Sequence, residues 1–169
     1  MRLHRLLRHA AALHWRTRML FPRTTLDAIR DAIVRAERAH AGEIRFAVET
    51  ALPPRRVIGE VGPRGRALEV FSDLRVWDTE HNNGVLIYVL IADHSVEIVA
   101  DRGLSARVTS AEWEGVCRMM EEHFRAGRIK AGSIAGIDAV GGLLARHFPA
   151  AIPNQAAARN ELSDQPTLL

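Results

Sequence analysis

GVLIYVLIA, residues 84–92, decides the fold. The run is apolar on both parities of the two-residue strand repeat, so a strand made from it has no face to offer water and must be covered on both sides. A central strand with helices above and below provides that cover. The next run, HSVEIVADR at 94–102, alternates, with Val96, Ile98 and Ala100 on one face and Glu97, Val99 and Asp101 on the other. Only Asp93 and its neighbours separate the two runs, too few residues for a crossover, so they form an antiparallel hairpin. With Asp93 at the turn, paired residue numbers sum to about 186, which sets Asn83 and Gly84 roughly opposite Arg102 and Asp101.

Working outward, EIRFAVET at 43–50 alternates through Ile44, Phe46 and Val48 and reads as the first strand. ALPPRRVIGEVGPRG reads as a loop with a short irregular strand at 56–61. RALEVFSDLRVW, 66–77, is helical through Ala67, Val70, Phe71, Leu74 and Trp77, and a right-handed crossover there makes strands 43–50 and 84–92 parallel. TTLDAIRDAIVRAERAHAG is a helix capped by Thr24 or Thr25 and closed by Gly42, with Leu26, Ile29, Ile33, Ala36 and His40 in one stripe. In TSAEWEGVCRMMEEHFRAG, Thr109 and Glu112 make a capping box, and Trp113, Val116, Cys117, Met120 and Phe124 form the buried stripe. The last helix, KAGSIAGIDAVGGLLARHF, carries Gly132, Gly136, Gly141 and Gly142. Each glycine costs about 1 kcal/mol against alanine in a helix interior, so close contact with the sheet is the expected compensation. The expected fold class is α/β, a three-layer sandwich with a central mixed β-sheet flanked by helices on both faces. Residues 1–23 form a basic amphipathic helix, 24–149 the α/β domain, and 150–169 an extended or disordered tail.

The net charge of +3 is uneven: the first 23 residues hold six arginines and no acid, leaving the body at −3. A basic arm on a mildly acidic body, with no aromatic stacking platform, argues against nucleic-acid binding. The single cysteine, Cys117, excludes an intramolecular disulfide. No uninterrupted apolar run resembles a secretory signal or a spanning helix. The expected location is cytoplasmic, with peripheral contact at the inner membrane through residues 1–23 as a further possibility. In that arm Leu3, Leu6, Leu7, Ala10 and Leu13 make an apolar stripe, which either docks on the domain or inserts among anionic lipids while the arginines meet headgroups.

The stretch NNGVLIYVLIADHSVEIVADRGL resembles the signature of the TPM domain through Asn83, Gly84, Val85, Leu86, Asp93, Gly103 and Leu104. HFRAGRIKAGSIAGIDAV is similar to a second segment of that family through Phe124, Arg125, Gly127, Gly132, Gly136, Asp138 and Ala139. The resemblance spans about residues 24–148 and implies a sheet between helical layers. Its members include chloroplast proteins linked to photosystem II maintenance, bacterial proteins associated with LemA, and a nematode receptor modulator. Acid phosphatase activity and divalent-metal binding are attributed to some. The resemblance thus implies a protein partner, of the LemA type or another membrane protein. The bacterial plan, with a signal peptide and often a membrane anchor, is not visible here.

The hairpin register gathers polar residues at one sheet edge. Asp78, Glu80, Asn83 and Asp101 are candidate ligands for a weakly bound divalent cation, calcium or magnesium, since hard cations take carboxylate and amide oxygens. Arg75 and Arg102 are candidates for steadying an anion beside it. The same residues also suit turns, with Asp78 as a cap and Asn82 and Asn83 leading into Gly84. A second candidate site, Glu49, Asp93 and His94, lies at the carboxyl ends of the parallel strands, where ligands often bind. No nucleophile with an adjacent base is nameable, so catalytic residues stay unassigned. The primary expectation is a non-catalytic TPM-type binding domain, metal-binding in character, acting with a protein partner. The alternative is a divalent-metal-dependent, acid-phosphatase-like hydrolase.

Overall fold

The apolar run at 84–92 forms the interior strand that its composition requires. The computed structural model describes residues 2–11, 14–59, 61–150 and 160–169. Strands β1 (Glu43–Glu49), β2 (Gly84–Leu90), β3 (Ser95–Ala100) and β4 (Thr167–Leu168) make one mixed sheet of order β3-β2-β1-β4. β1 and β2 are parallel, from Glu43 beside Gly84 to Glu49 beside Leu90, and every residue of both is buried. β3 returns antiparallel to β2, with Val85 facing Ala100 and Leu90 facing Ser95. The paired numbers sum to 185, within the expected register, and the turn spans Ile91 to His94 with His94 at φ 53°. Gly84 still meets Asp101, whose N–H donates to the Gly84 carbonyl at 2.9 Å.

Helices cover both faces of the sheet. On one side Ile44, Phe46, Val48, Val85, Ile87 and Val89 pack with residues of α3 (Arg23–Ala36), α7 (Ser110–Arg125) and α8 (Ile129–His147). On the other, Ala47, Leu86, Tyr88, Leu90 and Val99 pack with Leu52, with Val57 of α4 (Pro54–Ile58), and with Ala67 and Val70 of α5 (Pro63–Asp73). Burying each such aliphatic side chain is worth about 1.5–3 kcal/mol, which explains why a strand with no polar face belongs at the centre. The amino-terminal helices α1 (Arg2–Ala11) and α2 (His14–Leu20) flank residues 12–13, and Leu6 of α1 packs against the second cluster.

Several local features differ from the sequence expectation. Where the irregular strand at 56–61 was expected, 56–58 belong instead to the helical turn α4, started by Pro54, whose fixed φ suits a first helical position, and residue 60 lies outside the described residues. α3 begins at Arg23 after Pro22, with no side-chain cap from Thr24 or Thr25. α5 ends at Asp73 rather than at Trp77. There Arg75 adopts φ 54°, its N–H bonds the Ser72 carbonyl, and the Val76 N–H bonds the Phe71 carbonyl, both at 3.0 Å. This paired closure ends the helix and turns Trp77 outward, 46% exposed. The capping box of Thr109 and Glu112 forms as expected. Three of the four α8 glycines, Gly132, Gly136 and Gly141, approach neighbouring helices rather than the sheet: a Cβ on Gly132 would lie 2.5 Å from His123 Cβ, and one on Gly136 would overlap the Met120 sulfur. The carboxyl-terminal tail is extended where it is described. Residues 160–169 run beside β1, with the Leu169 N–H on the Val48 carbonyl at 2.9 Å, while 151–159 lie outside the described residues.

Candidate functional sites at the two ends of the sheet

At the amino end of β2, two signature glycines bring three chain segments together. A Cβ on Gly84 would overlap the Val76 carbonyl oxygen, and one on Gly103 would sit 2.5 Å from the Asn82 carbonyl oxygen. Asn82, at φ 52°, accepts the Gly103 N–H on its carbonyl at 3.0 Å. Loop 76–83 is thereby clamped onto the turn at 101–104, as the hairpin register required.

The candidate ligands lie at this edge, and the contacts described for them run to separate partners. Asp78 pairs with Arg75 at 3.0 Å on the surface. Glu80 is exposed, and its N–H donates to the Glu161 carboxylate at 2.9 Å. Asn83 is buried, accepts nothing on its Oδ1 from the described residues, and donates from Nδ2 to the Ala41 carbonyl at 2.7 Å. Asp101 caps α6 (Arg102–Ser105) by accepting the Arg102 N–H at 2.7 Å. Of the candidate anion binders, Arg102 donates to Asn82 Oδ1 at 2.9 Å and Arg75 lies 5.8 Å over the Trp77 ring. Among the described residues, no group of three or more His, Cys, Asp or Glu is placed to hold a metal ion. A calcium ion takes six to eight converging oxygens and a magnesium ion six.

At the carboxyl end of β1 and β2 the second candidate set is also brought together, and here too the charges are matched internally. Asp93, its side chain 7% exposed, takes Arg5 through Nη2 at 2.8 Å and Nε at 3.1 Å, and Arg8 at 3.2 Å. His9 completes the group: its Nδ1 accepts the Leu52 N–H at 2.8 Å, so Nε2 bears the proton offered to Asp93 at 3.1 Å. Burial works to raise the Asp93 carboxyl, yet the hydrogen bonds from Arg5 and His9 hold it below the ordinary value. Glu49 accepts from the Tyr88 hydroxyl at 2.7 Å and from Arg66 Nε at 2.8 Å. Burial, then the bond to Glu49, pushes the Tyr88 phenol up. His94 is exposed and makes no side-chain hydrogen bond with the described residues of this group.

A third polar group was not singled out by the sequence. Glu37 follows α3 and accepts the Ile44 N–H at 2.9 Å, while Glu43 opens β1 and accepts the Leu162 N–H at 3.2 Å. Burial pushes the Glu37 carboxyl up to about 9, with Glu43 and Asp164 adding to the rise. Burial likewise lifts Glu43 to about 7 and lowers His40 to about 4. The only sequence signal was Glu43 itself, a charge beginning a strand that no polar face accompanies. Cys117 is held, half-buried, in the α7 stripe, where burial raises its thiol to about 12 and so disfavours the thiolate that a nucleophile needs.

Among solved structures, the chain resembles the BA42 protein of the psychrophilic bacterium Bizionia argentinensis. The two are 31% identical with a TM-score of 0.73, over 86% of this chain and 93% of that one. The amino-terminal domain of a protein from P. gingivalis shares the fold at 20% identity and a TM-score of 0.56, over 73% of this chain and 78% of that one. No relative matches among curated proteins. The family model of the TPM domain matches residues 17–143, which include both glycine clamps, the hairpin and most of α8. On that match the chain belongs to the TPM domain family.

Proposed function

We propose that this TPM domain is a non-catalytic binding module that acts with a protein partner at or near the inner membrane. The observation that carries the reading is the exposed rim at 74–83, where Trp77, 46% exposed, lies beside the Arg75 guanidinium on a loop clamped by Gly84 and Gly103. Tryptophan and arginine are the residues that most often anchor protein interfaces, and a rigid loop loses little entropy on binding. Asp78 pairs with Arg75, Asp101 caps α6, and Asp93 and Glu49 take Arg5 and Arg66, which supports a role for these carboxylates in the fold. A photo-crosslinking residue placed at position 77 in cells should capture one discrete protein, and the same residue at exposed Asp138 should not; equal labelling at both positions contradicts the reading. The hydrolase alternative is addressed separately, by titrating calcium or magnesium into labelled protein and assaying a phosphomonoester with wild type and Asp101→Ala. Background turnover in both is expected. Saturable shifts confined to 78–83 and 101–102, with turnover lost in Asp101→Ala, would establish the hydrolase instead.

A further inference from the structure

The amino-terminal helix docks with its polar side inward. In α1, Arg5 and His9 reach Asp93 and Leu6 joins the core, whereas Leu3 and Leu7 stand 67% and 56% exposed. This is the reverse of an ordinary amphipathic helix on a domain, where leucines are buried and arginines face water. The docked side is set by electrostatics, since Asp93 is too buried to be left without a cation. The leucines are consequently held outward on a helix that cannot roll without giving up that contact. α1 also packs on α4, where Ile58 is 67% exposed and Arg55 faces solvent. Arg8 keeps half its side chain exposed, and Arg18 and Arg23 are exposed nearby in the chain.

We infer that α1 and the adjoining α4 form a membrane-docking surface for anionic phospholipid, with Leu3, Leu7 and Ile58 entering the acyl boundary and the arginines meeting headgroup phosphates. The charge decides the occupant: residues 1–23 hold six arginines and no acid, which suits a negatively charged bilayer and opposes contact with a second copy of the same arm. Apolar residues set among arginines are the composition by which helices lie in an interface. The inference rests on the reading of the chain as a binding domain near a membrane, and adds the surface by which it is held there.

The test is flotation of the full chain with vesicles of phosphatidylcholine, with and without phosphatidylglycerol. Wild type should float with the phosphatidylglycerol vesicles only, and the signal should weaken as salt is raised. Leu3→Gln with Leu7→Gln should reduce bound protein by about tenfold, with an unchanged amide NMR spectrum for β1 to β3, since both leucines are exposed. Wild type remaining unbound, or the double variant floating equally well, overturns the inference. So does a dimer in sedimentation velocity that the double variant dissolves, because the face would then belong to a second copy. Crosslinking at position 77 is independent of these outcomes, so the partner reading and the lipid reading fail separately.

Discussion

Glu37 and His40 carry opposite pH dependences in neighbouring positions. The Glu37 carboxyl sits at about 9 against an ordinary 4.5, so the fold retains a proton that the unfolded chain has lost. Its contribution to stability is complete below about pH 4.5 and declines as pH rises toward 9. Glu43 adds a decline between about 4.5 and 7. His40, at about 4 against 6.5, acts in the other direction, and its contribution is lost as pH falls below 6.5. Glu37→Gln should therefore flatten the fall in thermal midpoint between about pH 7 and pH 9; parallel wild-type and variant curves by circular dichroism would contradict the assignment. Gly84→Ala introduces a methyl against the Val76 carbonyl and should cost about 1–3 kcal/mol in denaturant unfolding. A neutral outcome would mean that the clamp yields.

At the scale of elements, α8 carries four glycines with different surroundings. Gly132 abuts His123 on α7, whereas nothing lies within 4 Å of a Cβ at Gly142. Gly132→Ala is thus expected to destabilise, and Gly142→Ala to stabilise by about 1 kcal/mol through helix propensity alone. Chemical denaturation of the two variants checks this, and equal effects would remove the packing explanation. The hairpin and α7 were legible because their patterns permit one answer: an apolar run of both parities must be interior, and Thr109 with Glu112 spells a helix start. The end of α5 was not legible, since Arg75 occupies a left-handed position that glycine or asparagine usually fills. The glycine-rich face of α8 could be recognised as a close approach, but periodicity does not say which element approaches.

For the whole molecule, the least legible features are those made by the chain ends. A two-residue strand has no pattern of its own, and β4 is fixed from outside, by the Arg45 guanidinium on the Ser163 carbonyl and on Thr167 Oγ1 and by Glu43 on the Leu162 N–H. Removing 160–169 should open the β1 edge and strip those partners, giving self-association on size exclusion, as uncovered edges do; a monomer of unaltered stability would contradict this. At the other end, the stripe of α1 was visible but its docked side was not, because the deciding charge, Asp93, lies far away in the chain. The hairpin places the candidate residues at the two ends of the sheet, while the sequence could not show that Asp93 would take Arg5 and His9, or that Glu49 would take Tyr88 and Arg66, from within the fold. Asp93 is where that account is most exposed. A double-mutant cycle of Arg5→Ala and Asp93→Ala, read by denaturant unfolding, measures it directly. An anchoring carboxylate predicts a loss of about 3 kcal/mol for Asp93→Ala and a coupling with Arg5 above about 1 kcal/mol. An additive cycle, with Asp93→Ala neutral or stabilising, would instead mark Asp93 as a residue kept for a ligand.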